Sequence, residues 1–162
     1  MQRTPLYRLL PLVLTLVACA EVTEVSDTDL PPLSEPGQWR YITQHDASTT
    51  SRCIGQPNSP LCAVETLLAC FQRDNIELCR MVDDGTEQYS QIFAAPADPS
   101  KYLAYRVIGA DRKSDDVLIT LDQREGLLGR YAKSTGAPVQ SFTLKRQAEG
   151  VWKVTAWGDV GE

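Results

Sequence analysis

Four cysteines lie close together in the middle of the chain, at Cys53, Cys62, Cys70 and Cys79. Cysteine side chains form disulfides, bind metals or act as redox-active thiols. No Cys-x-x-Cys pair and no neighbouring histidine accompanies these four residues, which argues against a zinc site and against a thiol-redox site. We therefore expect two disulfides, no metal and no cofactor.

Two consecutive helices are predicted for the stretch that carries these cysteines. Ser59 followed by Pro60 is a helix start, since the hydroxyl accepts from a free amide of the first turn and proline fits where no donor is needed. Asp74 and Glu77 repeat the capping-box spacing and predict a second start. Helical periodicity divides the side chains into a buried set, Leu61, Val64, Leu67, Leu68 and Phe71 with Leu78, Met81 and Val82, and a polar set, Glu65, Gln72 and Arg73.

Helix geometry limits how the cysteines can pair. Cys62 and Cys70 are eight residues apart on one helix, a separation of roughly 12 Å, whereas bridged residues have Cα atoms within about 7 Å. A tight turn between the helices brings Cys70 near Cys79. Cys62 faces the segment that precedes the first helix, and this segment contains Cys53. The sequence therefore predicts disulfides between Cys53 and Cys62 and between Cys70 and Cys79.

After the helices, the hydrophobic period changes to two. Alternating apolar residues predict four strands, around residues 103–107, 117–121, 142–145 and 152–156, and a short fifth strand is an option at Leu127 to Ala132. Helices in one run and strands in another indicate an α+β fold with an antiparallel sheet of four to five strands. The apolar face of such a sheet needs a cover, and the N-terminal helical hairpin supplies the matching apolar stripe.

The N-terminus predicts export. Arg3 and Arg8 precede an apolar run too short to remain a membrane span, so residues 1–18 are interpreted as a signal peptide. The run LVAC, Leu16 to Cys19, resembles the lipobox of bacterial lipoproteins. That resemblance implies cleavage before Cys19, a thioether-linked diacylglycerol on Cys19 and an acylated amine, with palmitate as a typical acyl group. Ala20 in place of an acidic residue implies retention at the outer membrane. In the alternative interpretation the signal peptide is an ordinary one and Cys19 is incidental.

An acidic, proline-rich segment follows the signal peptide. Residues 19–52 have no sustained period and predict a disordered tether, although Trp39, Tyr41 and Ile42 could dock on the domain or form a small extra strand. His45 is interpreted as a solvated loop residue. Loss of residues 1–18 leaves 14 basic against 21 acidic residues, which argues against nucleic acid or anionic lipid as a partner. We expect the lipid anchor to hold the protein at the bacterial envelope with its domain in the periplasm, an oxidising compartment that suits disulfides.

Two local patterns resemble the nuclear transport factor 2-like superfamily, a cone-shaped, cystatin-like α+β fold. SPLCAVETLLAC is similar to its opening helix and LKRQAEGVWKVTAW to its closing hairpin, and the likeness covers roughly Ser59 to Trp157. The resemblance implies that residues 53–162 form a domain in which a curved sheet encloses a pocket roofed by the helices. It also implies a homodimer through the outer sheet face, which would carry the polar residues Thr120, Thr143, Lys145, Lys153 and Thr155.

No position carries over a catalytic residue from that superfamily. Packing is the simpler interpretation for the tyrosines and the tryptophan among the polar and aromatic residues that lie on or beside the strands: Tyr102, Tyr105, Arg106, Asp122 and Trp157. Phosphate loops, Ser-His-Asp arrangements and metal spacings are missing from the sequence. We therefore predict a non-enzymatic envelope lipoprotein that binds a small apolar ligand or another envelope protein. The alternatives are an isomerase or dehydratase with its active site in the cone, and an inhibitor of a cell-wall hydrolase acting through a loop at Leu127 to Pro138.

Overall fold

A computed structural model describes residues 27–83, 102–125 and 139–160, and these contain two α-helices and five β-strands. The helices are α1 (Pro60–Arg73) and α2 (Ile76–Val82); the strands are β1 (Arg40–Thr43), β2 (Tyr102–Lys113), β3 (Asp116–Glu125), β4 (Val139–Arg146) and β5 (Trp152–Asp159). The four strands predicted from alternation are present as β2 to β5. The optional strand at residues 127–132 lies outside the described residues.

All five strands belong to one antiparallel sheet, in the chain order β1-β2-β3-β4-β5. The α+β class predicted from the order of helices and strands is confirmed. Short turns join β2 to β3 and β4 to β5, and the second of them places Gly150 at φ +80°, a conformation that a residue with a Cβ rarely adopts. These short connections set the register of the β2–β3 and β4–β5 pairs, whereas both helices lie between β1 and β2 in the chain.

Alternate residues of the strands form the core together with the helices. Tyr105, Ile119, Phe142 and Trp152 are fully buried or nearly so, one from each of β2 to β5. Val64, Leu67, Ala69 and Cys70 of α1 belong to the same cluster, as do Cys79 and Val82 of α2. The apolar stripe of α1 thus covers the apolar face of the sheet, which is the pairing of surfaces that the two periodicities predict.

A bulge in β5 reverses the alternation near its end. Leu144 pairs with Val154 and Thr143 with Ala156, so Thr155 is an extra residue on β5. The sequence pattern places Ala156 on the buried face with Trp152 and Val154, and this is wrong because the bulge turns Ala156 outward, where it is exposed. Trp157 consequently returns to the helix side, where its ring lies 5.6 Å from that of Phe71.

The helix ends follow capping chemistry, with one difference from the prediction. Ser59 accepts from the Cys62 amide and Pro60 occupies the first turn of α1, as predicted. The second helix starts one residue later than the Asp74–Glu77 spacing suggests, because Asp74 ends α1 in a left-handed conformation at φ 48° and Asn75 caps α2 through the Glu77 amide. Met81 is 43% exposed and so is not part of the buried face.

The segment before α1 runs along the domain. Arg40–Thr43 pairs with β2 as an edge strand, and Ser34 bonds to Val107 further along the same edge. Arg73, at the end of α1, donates to Thr43 and forms a 2.6 Å ion pair with Asp46. Residues 34–57, here called the lead-in, therefore cover the polar side of α1; residues 34–52 of this segment belong to the predicted tether.

The four cysteines of this region form two pairs, Cys53 with Cys62 and Cys70 with Cys79, with Cα atoms 5.4 and 5.3 Å apart. These distances are typical of disulfides and support the predicted pairing. The first bridge fixes the lead-in to α1, and the second joins α1 to α2. Neither helix in the described part of the chain has the length and hydropathy that a membrane span requires.

Candidate functional site

Glu65 lies in the middle of α1 and is only 1% exposed. The helical periodicity assigns Glu65 to the polar, solvent-facing side, and this expectation is wrong because the lead-in covers that side. A buried carboxylate is unfavourable unless donors surround it. Glu65 therefore requires donors close to its carboxylate group.

Three donors converge on the Glu65 carboxylate, two from the lead-in and one from β2. Arg40 Nη1 lies 2.9 Å from Oε1 and forms an ion pair with it. The Tyr105 hydroxyl also donates to Oε1, and the Ser51 hydroxyl donates to Oε2. We call Glu65 and these donors the Glu65 cluster; it joins the lead-in, including its strand β1, to α1 and β2.

Strand pairing and the first disulfide explain why these groups meet. Arg40 is opposite Tyr105 in the β1–β2 register, so both side chains point to the helix side of the sheet. Cys62 and Glu65 are three residues apart and share one face of α1. The bridge from Cys62 to Cys53 therefore draws the lead-in, with Ser51, across Glu65.

The cluster shifts the pKa of two of its members. Burial raises the pKa of Tyr105 well above its ordinary value of 10.0, and the charge and hydrogen bond of Glu65 raise it further. For Arg40, burial lowers the pKa, but the hydrogen bond and charge of Glu65, together with Tyr105, outweigh burial and raise it. Tyr105 is therefore held as a neutral donor and Arg40 as a permanent cation.

The same contacts limit what the Glu65 cluster can do chemically. Both carboxylate oxygens already accept hydrogen bonds, so neither is available as a general base without rearrangement. Cys53 Sγ lies 3.1 Å from Oε2, but its sulfur is bonded to Cys62 and has no proton to donate. Atoms of Cys53, Cys62 and Glu65 lie within 4.8 Å of one another, yet two sulfurs joined in a disulfide offer no thiolate to a metal. The geometry best fits a structural role, which we call the clasp role: the Glu65 cluster holds the lead-in against α1 and β2.

Tyr105 should make the protein sensitive to alkaline pH. Because the pKa of Tyr105 is raised in the folded state, the unfolded chain releases this proton first, and stability falls as pH rises above about 10. One such group contributes a slope of up to about 1.4 kcal/mol per pH unit. We expect Tyr105→Phe to flatten the alkaline decline of the free energy of unfolding by that amount, measured by urea unfolding at a series of pH values. Tyr41→Phe, at an exposed tyrosine, is the matched control; equal slopes for wild type and Tyr105→Phe would contradict the prediction.

A second group of side chains lies on the opposite face of the sheet. Tyr41 pairs with Ala104, and Arg106 pairs with Asp122. Because these residues alternate along the strands with core residues such as Tyr105 and Leu121, their side chains lie on the face away from the core. Around them is the group that we call the aromatic–arginine surface: Trp39, Tyr41, Tyr102, Arg106 and Arg124.

Trp39 is the centre of the aromatic–arginine surface. The guanidinium carbons of Arg106 and Arg124 lie 5.1 and 4.4 Å from the centroid of its ring, which is within the range of cation–π attraction. Arg106 also contacts Asp122 through two nitrogens, each 2.8 Å from Oδ2. Tyr41 and Tyr102 pack edge to face beside them, with centroids 5.9 Å apart. The surface thus combines a fixed indole ring with two oriented guanidinium groups.

The residues singled out from the sequence are divided between these two places and the rest of the fold. Tyr105 belongs to the Glu65 cluster, while Tyr102, Arg106 and Asp122 belong to or adjoin the aromatic–arginine surface. His45 is an exposed loop residue. Cys19 and the loop at residues 127–138 lie outside the described residues.

Sequence reasoning missed the roles of Glu65, Arg40 and Ser51, but one signal for Glu65 was available. The predicted bridge between Cys53 and Cys62 requires the lead-in to cross the face of α1 that also carries Glu65. Arg40 and Ser51 had no comparable signal, because their placement depends on the pairing of β1 with β2. The contact between Trp39 and Arg124 depends on the same pairing.

Comparison with family models, with curated proteins and with solved structures gives no match for this chain.

Proposed function

We propose that this chain is a lipid-anchored envelope protein that presents a non-enzymatic binding domain for another envelope protein or a small apolar ligand. The anchoring part of the proposal rests on the signal-peptide pattern and the lipobox-like run that ends at Cys19. Two cysteine pairs at disulfide distance support export to an oxidising compartment. Retention at the outer membrane follows from Ala20, as the resemblance to lipoproteins implies.

The observation that carries the binding role is the aromatic–arginine surface. Tryptophan, tyrosine and arginine are the residue types most enriched where proteins bind one another. Here Trp39 is half-buried, Tyr41 is 38% exposed and Arg124 is exposed, so the group is ordered and still reaches solvent. The two cation–π contacts hold the arginine side chains in place before any partner arrives, which lowers the entropy lost on binding.

We also propose the finer architecture implied by the family resemblance. In this view α1 and α2 form a helical hairpin over a curved sheet, as in nuclear transport factor 2-like domains, and the aromatic–arginine surface lies on the outer side of that sheet. The contacts of α1 with β1, β3 and β5, and of α2 with β5, support this arrangement.

Replacement of the proposed lipidation residue should remove the acyl anchor and leave the signal peptide uncleaved. We expect Cys19→Ser to abolish incorporation of an alkyne-labelled fatty acid and to stop cleavage before residue 19, because no thiol remains for acylation. Several acyl chains are needed for stable anchoring, so the variant should lose the acyl anchor altogether. Fractionation of labelled cells measures both effects. Ala20→Asp is a matched change that keeps the thiol: we expect it to stay labelled and to move to the inner membrane. Full labelling of Cys19→Ser would reject the anchor.

The binding role is tested by crosslinking intact cells and purifying the protein from their membranes. We expect recovery of a reproducible complex that Trp39→Ala weakens, because this change removes the ring on which both guanidinium groups rest. The homodimer implied by the family resemblance would appear as a complex of two copies. Repeated recovery of the monomer with no bound molecule would reject the binding role.

The catalytic alternative would need a reactive group inside the domain, and Glu65 is the described candidate. The engagement of both its oxygens supports the non-enzymatic proposal instead. The inhibitor alternative depends on the loop at residues 127–138, which lies outside the described residues.

A further inference from the structure

We propose that the aromatic–arginine surface recognises a carboxylate-bearing segment of a partner protein, with Arg124 as the recognising cation. This inference rests on the proposed function, because it names the class of partner for the binding surface. It goes further by assigning recognition to one charged group and one kind of side chain on the partner.

The charges of the surface are unbalanced. Asp122 neutralises Arg106 through its two 2.8 Å contacts. Arg124 has no ion pair in the described ranges, and its contact there is with the ring of Trp39. The surface therefore carries one uncompensated positive charge on a protein whose formal net charge is −5. A local cation on an acidic protein favours a negatively charged group on the partner.

The geometry favours a carboxylate for that group. A guanidinium presents a planar fork of N–H donors that matches the two oxygens of a carboxylate. The Trp39 ring orients the Arg124 fork, 4.4 Å from the ring centroid, and leaves the residue exposed. The neighbouring ring of Tyr41 is 38% exposed and offers an apolar contact beside the charge. A peptide segment can supply both an acidic side chain and an apolar neighbour.

Polyanionic partners fit this surface less well than a protein segment. Nucleic acids and anionic membranes bind through many cations at once. Here a single uncompensated arginine lies within a protein of negative net charge, which would repel an extended polyanion.

Two synthetic peptides test the inference with the full chain purified in detergent. One peptide alternates Glu with Thr, and the other has Gln in place of every Glu. We expect the Glu peptide to bind and to shift the indole N–H resonance of Trp39. Arg124→Gln should weaken that binding about five- to tenfold, the size of effect of one exposed charge-assisted contact.

Arg112→Gln is the matched control, because Arg112 is also an exposed arginine of the same sheet and lies in β2. Its contact in the described residues is with the Ser114 carbonyl. The substitution removes the same charge and should leave the affinity as in wild type. Equal weakening by both substitutions, equal binding of the Glu and Gln peptides, or no binding of either peptide would each overturn the inference. If complexes are still recovered from crosslinked membranes, only the partner class is wrong; if they are not, the binding role itself fails.

Discussion

Glu65→Gln is expected to lower the free energy of unfolding by about 2 to 4 kcal/mol. Removal of one partner of a buried ion pair costs about 3 to 5 kcal/mol when both groups are enclosed. The estimate here is lower because the Arg40 side chain is 39% exposed and can regain water. The amide keeps one acceptor but turns an N–H₂ group toward the Tyr105 or Ser51 hydroxyl, so a buried donor loses its acceptor.

Glu77→Gln is the matched control for this change. Glu77 is also a helical glutamate paired with an arginine, Arg80, but both side chains are exposed. Surface pairs of this kind contribute about 0 to 1 kcal/mol, so the control should change stability little. Urea unfolding of the oxidised protein measures both variants. If Glu65→Gln were no more destabilising than Glu77→Gln, the Glu65 cluster would not have the clasp role that its geometry indicates.

Removal of the second disulfide is the other change with a large expected effect. Cys70→Ala with Cys79→Ala should lower stability by about 2 to 3 kcal/mol, since the bridge closes a short loop and restricts the unfolded chain. Both residues are also fully buried in the core cluster. Loss of the bridge should therefore loosen the contact of α2 with α1 and also raise the conformational entropy of the unfolded chain.

The first disulfide provides the comparison, because its two cysteines have the same sequence separation of 9. Chain entropy alone predicts equal losses for the two double variants. We expect removal of Cys53 and Cys62 to weaken the Glu65 cluster in addition, which hydrogen exchange at the amides of residues 40–43 would detect as faster exchange. An unchanged unfolding midpoint for the Cys70 and Cys79 variant under non-reducing conditions would refute the stabilising role of that bridge.

The sequence predicted those parts of the fold that depend on local periodicity. Strands β2 to β5 follow from alternation, α1 from its apolar stripe and its Ser59 cap, and the cysteine pairs from helix geometry. Each of these depends on residues close together in the chain. The prediction from local residues was wrong at Asp74, where the end of one helix and the start of the next compete for the same residue. Asp74 ends α1, and Asn75 caps α2.

Long-range pairing explains what the sequence did not reveal. A small strand around Trp39 to Ile42 was one option from the sequence, and the structure contains it as β1, but four residues in an acidic, proline-rich segment give no periodic signal for its partner or register. Once β1 pairs with β2, Arg40 comes opposite Tyr105 and Trp39 comes beside Arg106 and Arg124. Both candidate sites therefore arise from one pairing that residue spacing along the chain does not encode.

The bridge between Cys53 and Cys62 has a mechanical consequence under the proposal that a lipid anchor holds the protein by its N-terminus. A pulling force transmitted from that anchor would first separate Ser34 from Val107 and then peel β1 from the edge of the sheet. The covalent link to α1 would then stop the unravelling at residue 53. Extension of the chain from residue 40 to residue 53 releases at most about 45 Å of length. Beyond that point the load would pass directly into the helix and spare the remaining four strands.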